Sequence, residues 1–158
     1  MSYLEKTGRP AWTGLPRAAA DGARGARTDA LSAITDTLRS YEAALNASDT
    51  DAVMKLYSED GVFMPQHFPS AVGPAQVRSA YDGVFGTIRL SVAFEIVEVV
   101  PVAEDWAFAR TNSAGSVTVL ATGDSGPETN QELFVMQRVD GAWKIVRYAF
   151  STTNPPRG

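Results

Sequence analysis

Four side chains in this 158-residue sequence have the chemistry to polarise a bond or carry a proton near neutral pH: the phenols of Tyr41 and Tyr57, the imidazole of His67 and the carboxyl of Glu132. A phenol in an apolar wall can donate one hydrogen bond to a carbonyl oxygen, although it can equally be a core tyrosine whose hydroxyl reaches backbone or water. His67 is the single histidine and the one side chain whose ordinary pKa lies near neutrality, so it is a candidate base; its setting between Gln66 and Phe68 in a Pro-rich stretch also suits an exposed loop. Glu132 shares strand parity with Phe134 and Met136. If that face is internal, the carboxyl sits among apolar groups with a raised pKa; the bland alternative pairs it with Arg110 or Arg147.

Other chemistries find no support. Cysteine is absent, which removes thiolate nucleophiles, iron–sulfur clusters and the common structural zinc sites. With one histidine, a metal site would need mostly carboxylate oxygens, and none is expected. No Gly-rich phosphate loop follows a strand, so no nucleotide or other cofactor is expected.

The elements that must position these groups show in the hydrophobic spacing. Leu31, Ile34, Leu38, Tyr41 and Leu45 recur at intervals of three and four, which predicts a helix from Thr28. Ser48 with Asp51 predicts the start of a short second helix that carries Val53, Leu56 and Tyr57 and stops at Asp60-Gly61. Val62 to Met64 reads as a brief strand, and Gly73-Pro74 opens a third helix with Val77, Ala80, Tyr81, Val84 and Phe85 on its inner face. From Ile88 the period changes to two. Four long strands follow, the last pair joined at Asp140-Gly141, a dipeptide suited to a tight hairpin.

Helices first and a strand meander after them imply an α+β fold: a curved antiparallel sheet of four long strands plus a short N-terminal strand region, wrapped around three helices as a cone. The cone interior would be lined by Tyr57, Met64, Gln66, Tyr81, Phe85, Phe108, Arg110, Phe134, Met136, Tyr148 and Phe150. Trp106, Phe108 and Arg110 alternate with Ala107, Ala109 and Thr111, and the small residues are expected on the outer face, free to pack against a second copy as a homodimer. A sealed interior below about 300 Å³ would argue against any ligand.

The length fits one domain, which we place at 28–154 between an N-terminal arm, 1–27, and a tail, 155–158. The arm carries five basic and two acidic residues, a net +3, which leaves −7 for the rest of a chain whose total is −4. An acidic body is unsuited to nucleic acid. No apolar stretch is long enough for a bilayer span or a secretory signal, so the expectation is a cytoplasmic protein without membrane contact.

The segment from Tyr41 to Tyr57, with Asn46-Ala47-Ser48-Asp49 and Leu56-Tyr57-Ser58-Glu59-Asp60, then Phe63, Pro65 and Gly73, resembles the nuclear transport factor 2-like superfamily, which includes ketosteroid isomerase and SnoaL-like polyketide cyclases. The segments Asn130 to Met136, Asp140 to Ile145 and Tyr148-Ala149-Phe150 look most like the small members found in actinobacterial enediyne and polyketide antibiotic clusters. The resemblance implies a cystatin-like α+β barrel, puts Tyr41 at the oxyanion-stabilising tyrosine and Tyr57 in the supporting network. It also puts Pro65 where the isomerase keeps its base aspartate and Phe134 near its protonated aspartate, so the steroid isomerase mechanism does not carry over. The reading is a cofactor-independent isomerase, cyclase or lyase-like enzyme acting on a bulky apolar, polyketide-like carbonyl compound, with Tyr41, His67 and Glu132 as catalytic groups. A non-catalytic binding protein for the same ligands, or a dimerisation module, stands as the alternative.

Overall fold

The computed structural model describes residues 17–156, with side chains from residue 22 onward. Nine elements follow in chain order: α1 (Arg17–Asn46), α2 (Thr50–Met54), β1 (Tyr57–Met64), β2 (Ala71–Val72), α3 (Gly73–Thr87), β3 (Ile88–Pro101), β4 (Trp106–Val119), β5 (Ser125–Val139) and β6 (Ala142–Thr152). One six-stranded sheet runs in the order β2-β1-β6-β5-β4-β3, so it stays open at both edges, and its long strands curl over the helices as an α+β cone. The meander β3 to β6 is antiparallel, while β1 lies parallel to β6. At Asp140 and Gly141 φ is +50° and +79°, the two left-handed residues that a tight hairpin turn needs.

The spacing read from the sequence holds in α1, where Ile34, Leu38, Tyr41 and Leu45 are all buried. The helix is longer than its apolar stripe, since it begins at Arg17 instead of Thr28; residues 1–16 of the expected arm lie outside the described residues. Its C-terminal half is fastened to the sheet by polar side chains. Arg39 donates to the Phe94 carbonyl at 2.8 Å, Glu42 accepts from the Phe94 amide, and Asn46 both accepts from and donates to the backbone of Val92, at 2.9 and 2.8 Å. These bonds bracket Tyr41 and fix how far its phenol reaches into the cone.

Two local expectations are corrected. α2 is capped by Asp49, whose carboxylate accepts from the Ala52 amide, and it ends at Met54; Tyr57 therefore opens strand β1 instead of closing a helix. The faces of β4 are also the reverse of those expected: Ala107, Ala109 and Thr111 face the core, each 1% exposed or less, while Trp106 and Arg110 lie outside. The register gives the reason. Ala107, Ala109 and Thr111 stand directly opposite Met136, Phe134 and Glu132 on β5, whose large side chains fill the interior and leave room only for small partners.

Candidate functional site

Three hydroxyls form a chain in the core. Tyr81 comes from α3, where it lies one helical turn after Val77 on the buried face, and its hydroxyl is 2.7 Å from that of Tyr41 on α1 and 2.7 Å from that of Tyr57 at the start of β1. Three phenols joined by two hydrogen bonds leave one hydroxyl proton over. Hydroxyl rotors turn to suit their surroundings. With a carbonyl oxygen beside Tyr41, donation from Tyr57 to Tyr81 and from Tyr81 to Tyr41 frees the Tyr41 proton for that oxygen, and each bond polarises the next. Burial pushes the pKa of Tyr41 well up, and the neighbouring phenols of Tyr148, Tyr81 and Tyr57 add to the rise. Burial likewise raises Tyr57 and Tyr81. The relay is thus neutral at any ordinary pH, a donor and never a base.

The carboxyl is held on the sheet. Glu132 on β5 stands opposite Thr111 on β4, and Thr111 and Ser113 share one face of their strand by the two-residue repeat. The Thr111 hydroxyl donates to one carboxyl oxygen at 2.6 Å and the Ser113 hydroxyl to the other at 2.9 Å. Glu132 is 4% exposed, and burial raises its pKa; the two hydroxyls oppose the rise and the nearby charge of Glu128 adds to it. Among the described residues no cation pairs with it, since Arg110 binds Glu98 and Arg147 binds the carbonyls of Asp60 and Val146. The structural ion pair weighed from the sequence is therefore absent here.

Both groups border one hollow of about 210 Å³ between the helices and the sheet. Its walls carry the rings of Tyr41, Phe63, Tyr81, Phe94, Tyr148 and Phe150, and its polar edge is formed by Ser113, Glu128, Asn130 and Glu132, with Gln66 at the rim. Although the volume is small, the hollow is not sealed. It adjoins a second, outer cavity of about 540 Å³ with which it shares Phe63, Pro65, Phe68, Val84 and Ile88.

Of the residues expected at the site, Tyr41, Gln66, Tyr81, Glu132, Tyr148 and Phe150 border the hollow. Others do not. His67 is exposed at φ +70° with its ring Nε2 2.7 Å from Gln66 Nε2, because the Pro-rich turn swings the side chain outward. Met64 is 44% exposed, and Phe108 and Arg110 lie on the outer sheet face that the reversal of β4 gives them. Phe134 and Met136 are core residues beneath the hollow, with Phe134 stacked on Tyr148 at 4.4 Å. Tyr57 acts through Tyr81 from behind the wall, and Phe85 packs beside Tyr81 without reaching the space. Sequence reading passed over Thr111 and Ser113 as part of the site. Their signal was present: two hydroxyl residues two apart, on the strand hydrogen-bonded to the one carrying Glu132.

The profile of the SnoaL-like domain family matches residues 38–148. Among solved structures, the chain is similar to a ketosteroid isomerase-like protein from Erwinia carotovora atroseptica, with 38% identity and a TM-score of 0.77 over 79% of this chain and 97% of that one. It is similar in fold to a nuclear transport factor 2-like protein with a cystatin-like fold from Novosphingobium aromaticivorans, at 20% identity and TM-score 0.69 over 90% and 94% of the two chains. It is also similar in fold to a hexachlorocyclohexane dehydrochlorinase from Novosphingobium barchaimii, at 12% identity and TM-score 0.72 over 81% and 89%. No curated protein matches the chain. Matched over most of the interval from α1 to β6, the chain belongs to the SnoaL-like domain family.

Proposed function

We propose that the protein is an enzyme that moves a proton on the carbon next to a carbonyl group, with Glu132 as acid and base and Tyr41 as the donor to the developing oxyanion. The observation that carries this reading is that a buried carboxyl with a raised pKa and a phenol relay with one spare proton border the same apolar hollow. As carboxylate, Glu132 takes the α proton; the C–H electron pair becomes the new C=C bond and the carbonyl π pair moves onto oxygen, where the Tyr41 hydroxyl meets it. Return of the proton from Glu132 to another carbon gives isomerisation, and departure of a group from the β carbon gives elimination. Both the base and the electrophile come from the chain itself, so the reaction we propose needs no cofactor. The resemblance to antibiotic-cluster proteins supports polyketide-type compounds of specialised metabolism as substrates, and we place the reaction in the cytoplasm; no helix among the described residues is long and apolar enough to cross a membrane.

The size of the hollow bears on the substrate. An apolar cavity of about 150 Å³ admits benzene, so this one accepts a single ring with its carbonyl. Acetophenone is therefore a fitting probe. The protein should accelerate exchange of its methyl protons in D2O, followed by NMR, and both Tyr41→Phe and Glu132→Gln should slow that exchange. Acceleration equal in wild type and Glu132→Gln would sink the assignment of Glu132 as base, and no acceleration by wild type would leave a binding protein as the reading.

We also propose that two copies pair through the outer sheet face, now carried by Trp106 and Leu133, which are 39% and 46% exposed on adjoining strands. Leu133→Lys should shift the sedimentation coefficient from dimer to monomer; an unchanged coefficient would count against that face.

A further inference from the structure

The hollow is too small for the bulky ligand that the sequence reading expected, yet it opens into a larger space that the proton-transfer reading leaves unused. The outer cavity of about 540 Å³ is bordered by Phe63, Pro65, Phe68, Pro69, Val84 and Ile88, with Ser79, Gly83 and Thr87 of α3 along one side. Those three are spaced four apart, so they share one helix face and keep it shallow. Phe68 is 73% exposed and borders both spaces, an apolar ring held at the junction at the cost of contact with water. Among the described residues around either space there is no lysine, arginine or histidine, while Glu128 and Glu132 border the inner one. A carboxylate or phosphate group would meet only like charge there.

We infer that the outer cavity is a subsite for an apolar tail, so that the substrate is an uncharged ketone or aldehyde with a ring-sized head in the hollow and an alkyl or aryl extension along α3. The occupant follows from continuity: five residues are common to both spaces, so a molecule whose carbonyl reaches Tyr41 has its far end at Phe68 and Val84. Free fatty acids and acyl phosphates are excluded by the acidic edge. This inference rests on the proton-transfer reading for the placement of the head alone.

The test is a series of 1-phenylalkan-1-ones from acetophenone to octanophenone, with Kd measured by calorimetry or ligand-observed NMR. Each methylene buried in the subsite should tighten binding about threefold to fourfold until the cavity is filled. A Cβ at Gly83 would meet nothing within 4 Å, so a large side chain there projects into the open space. In Gly83→Phe the gain with chain length, taken relative to acetophenone on the same variant, should collapse to less than threefold over the whole series. Ser79→Trp obstructs the same side from one turn away and should do likewise if Gly83→Phe does not fold. Wild-type Kd values within threefold across the series, no detectable binding by any member, or a chain-length gain that survives both variants would overturn the subsite. The two readings fail separately. A chain-length gain with proton exchange unaffected by Glu132→Gln keeps the subsite and removes the base. Exchange that depends on Glu132 with a flat series keeps the base and removes the subsite.

Discussion

The two polar walls of the hollow are buried to the same degree and do opposite things. On the helix side, Tyr41 and Tyr81 are each 1% exposed, with Tyr57 behind them on β1 at 6%; on the sheet side Glu132 is 4% exposed. Desolvation is the leading cause of the raised pKa in all four. For a phenol, whose ordinary pKa is about 10, a rise carries the group further from neutrality and fixes it as a donor. For a carboxyl, whose ordinary pKa is about 4.3, a rise carries the group toward neutrality and makes its proton negotiable. One physical cause thus yields a permanent electrophile and a working base. The partners match these roles: the phenols bond to one another, while the carboxyl is held by two hydroxyls that can serve either of its protonation states.

The largest expected effects come from deleting one wall at a time. Glu132→Gln keeps the shape and removes the base, which should lower the acetophenone exchange rate by about 10²- to 10⁴-fold. Tyr41→Phe removes one oxyanion donor and should cost about 10²- to 10³-fold. The pH profiles should divide the two walls more sharply than the rates do. Wild type and Tyr41→Phe should both gain rate as pH rises through the raised Glu132 pKa, because the base form is the carboxylate, whereas the residual rate of Glu132→Gln should lack that limb. A Tyr41→Phe profile that loses the limb would mean that the phenol titrates and that the two walls do not differ in role.

A smaller effect tests what holds the carboxyl. The Thr111 hydroxyl favours the charged form of Glu132, so Thr111→Val should move the rising limb to higher pH. A hydrogen bond to a charged group contributes about 1.5 to 3 kcal/mol, which sets an upper bound of roughly one to two pH units. Ser113→Ala, at the longer 2.9 Å bond, should move it less.

These two walls were not equally legible in the sequence. The helix wall was: the stripe from Leu31 to Leu45 places Tyr41 on the buried face by spacing alone, and Val77 to Tyr81 does the same in α3. The sheet wall was half legible. Period two showed that Glu132 shares a face with Phe134 and Met136, but which face of β4 meets it depends on packing across the register, and the alternation of large and small residues fits both choices. Taking the aromatic side of β4 as internal put Phe108 and Arg110 in the site and left Thr111 and Ser113 out. The volume that decided otherwise is supplied by β5 and α1, which no pattern within β4 reveals. Position 57 shows a similar limit, because Leu56-Tyr57 fits a helix end and a strand start alike, and the Asp49 cap that shortens α2 is a side-chain contact outside any periodicity. His67 was a candidate by chemistry alone, and chemistry does not say which way a turn points.

Stability should carry the same contrast in its dependence on pH. A carboxyl whose folded pKa lies above its unfolded value favours folding while both states are protonated, and that contribution is lost as pH rises through the folded pKa. Wild type should therefore lose stability from about pH 4 upward relative to Glu132→Gln, whose amide does not titrate. Thermal melts should nearly coincide near pH 4 and separate at pH 8 with the variant higher, by about 2–4 °C for each kcal/mol. Coincident melts at both values would mean that the folded and unfolded carboxyls titrate alike. The phenols, neutral across this range, should add nothing to the difference.

The smallest expected effect lies at the far end of the relay. Tyr57→Phe removes one hydrogen bond from a ring that does not border the hollow, so Tyr41 keeps its partner Tyr81 and its spare proton. What is lost is polarisation: Tyr81 no longer accepts a hydrogen bond from Tyr57 and so becomes a weaker donor to Tyr41. A neutral hydrogen bond contributes about 0.5 to 1.5 kcal/mol, and only part of that is felt two links away, so the exchange rate should fall by a few-fold with the pH limb unmoved. Tyr81→Phe cuts the chain in the middle and should fall between Tyr57→Phe and Tyr41→Phe. That gradation, 57 below 81 below 41, is what a directional relay produces and what three independent core tyrosines do not. Equal losses at 57 and 81 would show that the phenols support the wall by packing alone, leaving Tyr41 as a solitary donor opposite Glu132.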